Sequence, residues 1–219
     1  MEHRITPEWI DALNENEIMK EKNIIINGHE AVDLGLSVRW ATCNVGADSP
    51  EKYGGYYAWG ETEEKSDYSL SAYKWCEDSN DDLTKYCTNS RYGRGDNKTV
   101  LDPEDDVAHV KWGGGWRMPT LNEIKELVEK CTWECTWVNG VGGHKVTAPN
   151  GNSIFLPAAG CRDGTELDFR GSRGYYWSAT LGEDVSYFAF LLYFYGGYRD
   201  DDWLRYYGYT VRPVIEMIT

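Results

Sequence analysis

Cysteine, histidine and carboxylate are the residue types best able to do chemistry, and their spacing limits which chemistry that is. The six cysteines are Cys43, Cys76, Cys87, Cys131, Cys135 and Cys161. Six thiols admit 15 full disulfide pairings, and the sequence does not choose among them. No Cys-x-x-Cys pair occurs, so zinc-ribbon and thioredoxin-type sites lose support. Cys131 and Cys135 lie four apart with only His144 near in sequence, too few ligands for a metal. The expected state is free, partly buried thiols. His3, His29, His109 and His144 are scattered, and no motif ties one to a Ser or Cys nucleophile. The acidic runs at 78–82 and 102–106 miss EF-hand spacing and read as solvated loops. The glycines at 113–115 are followed by no Gly-Lys-Ser/Thr, so they cradle no phosphate. Arg94-Gly95-Asp96 and the sequon Asn97-Lys98-Thr99 are three-letter matches without supporting context. No catalytic set, metal site or cofactor is expected.

Recognition is the chemistry that remains. Residues 173–214 carry 14 of the 31 aromatic side chains. Tyr and Trp give large rigid contact area, and the interleaved Asp, Arg, Ser and Gly adapt around them. In 187–195, alternation puts Phe188, Phe190, Leu192 and Phe194 on one face, read as core. Tyr187, Ala189, Leu191, Tyr193 and Tyr195 take the other face, read as exposed. The stretch 198–207 mixes rings with full charges, which are rarely buried unpaired. The expected contact residues are Tyr187, Tyr193, Tyr195, Tyr198, Arg199, Asp200, Asp202, Trp203, Arg205 and Tyr206.

The elements that must position them read as follows. Thr6 and Pro7 start a short helix over 6–15, and Ile24-Ile25-Ile26 form a strand ending at an Asn27-Gly28 turn. Residues 1–29 read as an appendage to a domain spanning 30–219. Short extended runs follow to residue 46. Residues 61–106 are a long connection with little regular structure. Thr120 and Glu123 form a capping box, and Leu121, Ile124, Leu127, Val128 and Cys131 share one helical face. From Thr132 the chain turns to strands, with a hairpin at Asn150-Gly151-Asn152. The predicted fold class is α+β.

Charge and length narrow the partners. The chain has 219 residues and a net charge of −14. An acidic surface cannot displace phosphate counterions, so nucleic acid is excluded. No run approaches the roughly 20 apolar residues of a transmembrane helix, and the polar first residues are not a signal peptide. Oligomeric state is left open.

Several strings, in order, resemble the C-type-lectin-like domains of bacterial surface proteins. They are VDLGL (32–36), WATCNVGA (40–47), YGGYYAWGE (53–61), WRMPT (116–120), IFLPAAG (154–160), YYWSA (175–179) and VRPV (211–214). The resemblance implies a C-type-lectin-like fold, a twisted antiparallel sheet with one or two helices and long loops, whose terminal strands pair. It also implies a cell-surface or virion setting. The segment 175–214 is similar to the variable region of proteins diversified by retroelements. On that reading the chain is a non-enzymatic receptor- or adhesin-type module whose ligand is a protein or a glycan. The Glu-Pro-Asn, Gln-Pro-Asp and Trp-Asn-Asp calcium motifs of sugar-binding members are absent. The fold is shared with formylglycine-generating enzymes, which makes an enzyme the alternative, but their C-terminal cysteine pair is missing. A structural subunit of an appendage or virion is a third possibility.

Overall fold

A computed structural model describes residues 23–77, 79 and 82–217. The expected helix over 6–15 lies outside the described residues, as does part of the acidic run 78–82.

The chain opens with a hairpin. β1 (Asn23–Ile26) pairs antiparallel with β2 (His29–Val32) across Asn27-Gly28. Both turn residues have positive φ (48° and 84°), the pairing a tight hairpin turn requires. This hairpin spans the boundary expected between residues 29 and 30. β3 (Val38–Ala41) follows β2, and β12 (Val214–Glu216) pairs with β3, giving the order β1-β2-β3-β12. The two ends of the domain thus meet in one sheet.

The described residues of 61–106 form turns and three-residue 3-10 segments rather than strands or α-helices. Their own charges hold them. Asp105, only 3% exposed, accepts hydrogen bonds from Lys85 at 2.6 Å and the Tyr86 hydroxyl at 2.7 Å. Lys85 also lies 2.7 Å from Asp102. The buried Asp106 caps α1 (Val107–Trp112), accepting from the backbone N–H groups of Ala108 and His109. The 102–106 run is therefore a structural anchor and not the solvated loop expected. Helix α1 was not foreseen, because six residues give too little periodicity to register.

α2 (Leu121–Lys130) begins at the expected capping box. Glu123 N–H donates to Thr120 Oγ1 at 3.4 Å, and Thr120 N–H donates to Glu123 Oε2 at 2.7 Å. Ile124 and Leu127 are wholly buried. Strands then dominate. β4 (Thr132–Val138), β5 (Val141–Thr147) and β6 (Ser153–Pro157) form a meander with Asn-Gly turns at 139–140 and 150–151. β7 (Cys161–Asp163) and β8 (Glu166–Asp168) make a small hairpin. β9 (Gly174–Leu181), β10 (Phe188–Phe194) and β11 (Tyr198–Leu204) form a sheet ordered β11-β10-β9.

The predicted α+β class is overturned. Among the described residues, twelve strands in four antiparallel sheets stand against α-helices of six and ten residues. Two such short helices build no layer. The reason is in the composition: one apolar run has helical period, whereas β-branched and aromatic residues recur between turn signals elsewhere. No helix among the described residues is long and apolar enough to cross a membrane.

One extended segment, 205–214, ties the sheets together. Trp59 N–H donates to Arg205 O, Trp177 N–H to Thr210 O, Val45 N–H to Val211 O, and Ala41 N–H to Pro213 O, all within 2.8–3.0 Å. Tyr209 pairs with Tyr57, and Gly208 with Arg162. Trp59 and Trp177, both fully buried, donate indole N–H bonds to Ser178 O and Tyr57 O at 2.8 Å. This satisfies the polar ends of two of the largest core rings.

Candidate functional site

The sheet β11-β10-β9 sorts the aromatic segment by alternation. Tyr193 stands opposite Arg199 on β11 and Tyr175 on β9; Leu191 opposes Asp201; Ala189 opposes Trp203. These residues share one face. Leu192 and Phe194 point to the other and are buried with Ile124 and Leu127 of α2 in one apolar cluster. A glycine is needed beside them, because a Cβ on Gly174 would overlap the Phe194 ring.

The first face carries a cleft of about 320 Å³. Its walls are Tyr175, Leu191, Tyr193, Arg199, Asp201 and Trp203 from this sheet, Tyr207 and Tyr209 from the central segment, and Cys161, Asp163, Asp168, Phe169 and Arg173 from the β7–β8 hairpin and the turn after it. The rings are in contact. Tyr175 stacks on Tyr209 at 5.0 Å between centroids and leans on Tyr193 at 5.0 Å. The two guanidinium groups already sit on rings: Arg173 is 3.8 Å from the Phe169 centroid and 4.6 Å from that of Tyr195, and Arg199 is 5.1 Å from that of Tyr193. Arg199 also donates Nε and Nη2 to Asp201 Oδ2 at 3.1 and 2.9 Å.

Burial and neighbouring carboxylates disfavour a thiolate at the base of the cleft. Burial, and then Asp168 and Asp163, push the Cys161 thiol up to about 12, so it stays protonated near neutral pH. Burial and Asp163 likewise push the Tyr207 hydroxyl up to about 12. The cleft therefore presents neutral hydroxyl and thiol groups, aromatic faces and fixed charges of both signs. None of the six cysteines is disulfide-bonded. Among the described residues, no three His, Cys, Asp or Glu side chains converge on a metal position.

No known protein family, characterised protein or solved structure matches this chain.

The expected contact residues do not form one surface. Tyr193, Arg199 and Trp203 line the cleft, and Tyr195, 58% exposed, flanks it through Arg173. Tyr198 lies on the opposite side, stacked on Trp133 at 4.5 Å. Asp200 faces Lys125 of α2 at 3.9 Å. Asp202 is half-buried, and burial followed by Asp201 and Asp184 raises its pKa. Tyr187 packs edge-on to Tyr92 at 5.2 Å, away from the cleft, and Tyr206 packs edge-on to Tyr207 at 5.1 Å.

Arg205 is a correction. It is 1% exposed and serves as a structural clamp rather than a contact. Its Nη1 donates to Tyr86 O at 3.1 Å and Ser186 O at 2.8 Å, Nη2 to Lys85 O at 3.1 Å, and Nε to the Tyr73 hydroxyl at 2.9 Å. Ala189 and Leu191, expected on an exposed face, are buried because β7–β8 and the central segment cover the middle of β10. Asp201 was missed although the period of two placed it between Arg199 and Trp203 on one face. No local signal in the sequence marks Asp163, Asp168, Phe169 and Arg173 as neighbours of β10.

Proposed function

We propose that this chain is a non-enzymatic ligand-binding module of receptor or adhesin type, with its ligand seated in the cleft on the β9–β11 sheet. The carrying observation is the cleft itself, into which the β10–β11 hairpin places Tyr193, Arg199, Asp201 and Trp203 around an aromatic floor. Exposed Tyr, Trp and Arg at the rim of a concavity are the residue types that dominate binding energy. The ordered strings from VDLGL to VRPV support kinship with the C-type-lectin-like domains of bacterial surface proteins, and the segment 175–214 resembles the variable region of retroelement-diversified ones. The sorting of residues supports the same reading: the fold is held by Trp177, Arg205, Tyr209 and Arg212, so the rim can change without loss of the core.

Sequencing this gene across independent isolates tests the proposal. Substitutions should gather at Tyr193, Tyr195, Arg199, Asp201 and Trp203, with Trp177, Arg205, Tyr209 and Arg212 constant. A spread that ignores the division between rim and core would sink it.

A further inference from the structure

We propose that β4 is the docking edge for a second copy of this chain, the two β4 strands pairing antiparallel about Cys135 to join their three-stranded sheets into one.

The backbone argues first. β4 is an edge of the sheet ordered β4-β5-β6. The two-residue turn Asn139-Gly140, with φ of 48° and 80°, makes Val138 and Val141 a hydrogen-bonded pair. By alternation Thr132, Glu134 and Thr136 also direct their N–H and C=O groups at β5, and those of Trp133, Cys135 and Trp137 point outward. In keeping with this, Gly142, opposite Trp137, turns its carbonyl away from β4 and accepts from Ala158 N–H at 2.9 Å. Among the described residues, no backbone hydrogen bond outside the ladder reaches Trp133, Cys135 or Trp137. Exposed edges are usually blunted by charge, proline or a bulge. β11, an edge of equal length, carries Arg199, Asp200, Asp201 and Asp202. β4 has one charge, Glu134, no proline and an unbroken register.

The side chains select a copy of the same strand. Two β4 strands that use all their outward groups pair odd residues with odd, centred on Cys135. That register sets Trp133 opposite the partner's Trp137 and Glu134 opposite the partner's Thr136, so no like charges face each other. Trp137 is 68% exposed, more than any other tryptophan among the described residues. Its ring lies over Gly142, 3.4 Å from where a Cβ would stand. In the pair it reaches the partner's Trp133, which within each copy stacks on Tyr198, itself 39% exposed. Burying Trp137 and Tyr198 in both copies removes roughly 500 Å² from water, about half of the ~1,000 Å² of a specific interface. The edges of two seven-residue strands supply the remainder. A net charge of −14 on each copy opposes association, so the dimer is weak and dissociates in the micromolar range. The cleft shares no residue with β4, so it stays open in both copies and dimerisation is independent of what it binds.

The test is sedimentation velocity of the full chain over a range of about 1–200 μM, repeated with Trp137→Ala, Cys135→Pro and Trp203→Ala. Far-UV circular dichroism and the urea midpoint serve as folding controls. The expected result is a reversible monomer–dimer equilibrium that weakens roughly tenfold or more in Trp137→Ala. Cys135→Pro removes one outward N–H and leaves the ladder to β5 intact, so it should keep the fold and lose the dimer. Should it lower the urea midpoint, Trp137→Ala alone decides. Trp203→Ala removes an exposed tryptophan of the cleft and should dimerise as the parent does. Association should tighten between low salt and 0.5 M NaCl, as the net charges are screened. A monomer at every concentration, a dimer indifferent to Trp137→Ala, or loosening by salt would each overturn the proposal and leave the reading of the cleft untouched.

Discussion

Arg205 and Arg212 sit in the core with their guanidinium hydrogen bonds directed at neutral oxygens. Arg212 donates Nε to Asn44 Oδ1 at 2.8 Å and its Nη groups to the carbonyls of Ala41, Thr42 and Phe155. Burial lowers its pKa from the ordinary arginine value, yet arginine remains charged at any working pH. Each fork therefore ties several stretches of irregular backbone at once. Lysine cannot reproduce the fork, because one ammonium on a flexible stem reaches fewer of these acceptors. Arg205→Lys should leave buried carbonyls without donors and cost about 2–4 kcal/mol, read from the urea denaturation midpoint. Glu123 gives a pH prediction. Burial alone would raise its carboxyl, but Arg117 at 2.6 Å and the Thr120 N–H outweigh it and the pKa is lowered. The unfolded carboxyl takes up its proton near 4.5, whereas the folded one resists. Glu123 thus contributes stability above that pH, which is lost as pH falls through the lowered native value. Thermal melts of Glu123→Gln should start from a lower midpoint at pH 7 and decline less steeply below about pH 4.5. Parallel curves for the two proteins would contradict this.

At the scale of elements, α2 and the β10–β11 hairpin depend on each other. α2 is ten residues long, short for an isolated helix in water. Its buried face against Leu192 and Phe194 supplies what propensity does not. Loss of the cap by Thr120→Ala should cost about 1 kcal/mol and shift the unfolding midpoint without changing the far-UV spectrum of the folded state. Gly174→Ala should be worse, because the Phe194 ring that occupies its Cβ position also packs against α2. Displacing that ring should lower stability by about 1–3 kcal/mol. The capping box marked the start of α2 in the sequence, and Asn-Gly pairs marked the β1–β2 and β5–β6 turns, whereas the charges of 198–204 hid β11. The cleft was half legible. Alternation set Tyr193 apart from Phe194, and the mixture of rings and charges singled out Arg199 and Trp203, but the second wall arrives from residues 161–173 by a contact that no local pattern encodes.

For the whole molecule, residues 205–214 are the axis on which four small sheets assemble, so stability is pooled rather than divided among them. Removal of residues 211–219 takes away Val211, Arg212, Val214 and the partner strand of β3. The truncated chain should lose its near-UV spectrum and its cooperative melt while keeping some strand signal. A sharp two-state melt would show that the sheets stand without the axis. The amino-acid sequence by itself determined the local features: the caps, the turns, the period of two in β10 and the aromatic excess toward the C-terminus. These follow from the chemistry of a few neighbouring residues. Only the tertiary structure decided which faces are covered, that Arg205 and Asp105 are core, that strands and not helices define the class, and that Tyr198 and Trp203 lie on opposite sides of one strand pair. Periodicity states which side chains share a face, but what lies against that face is chosen by segments distant in sequence, whose packing is summed over the whole chain.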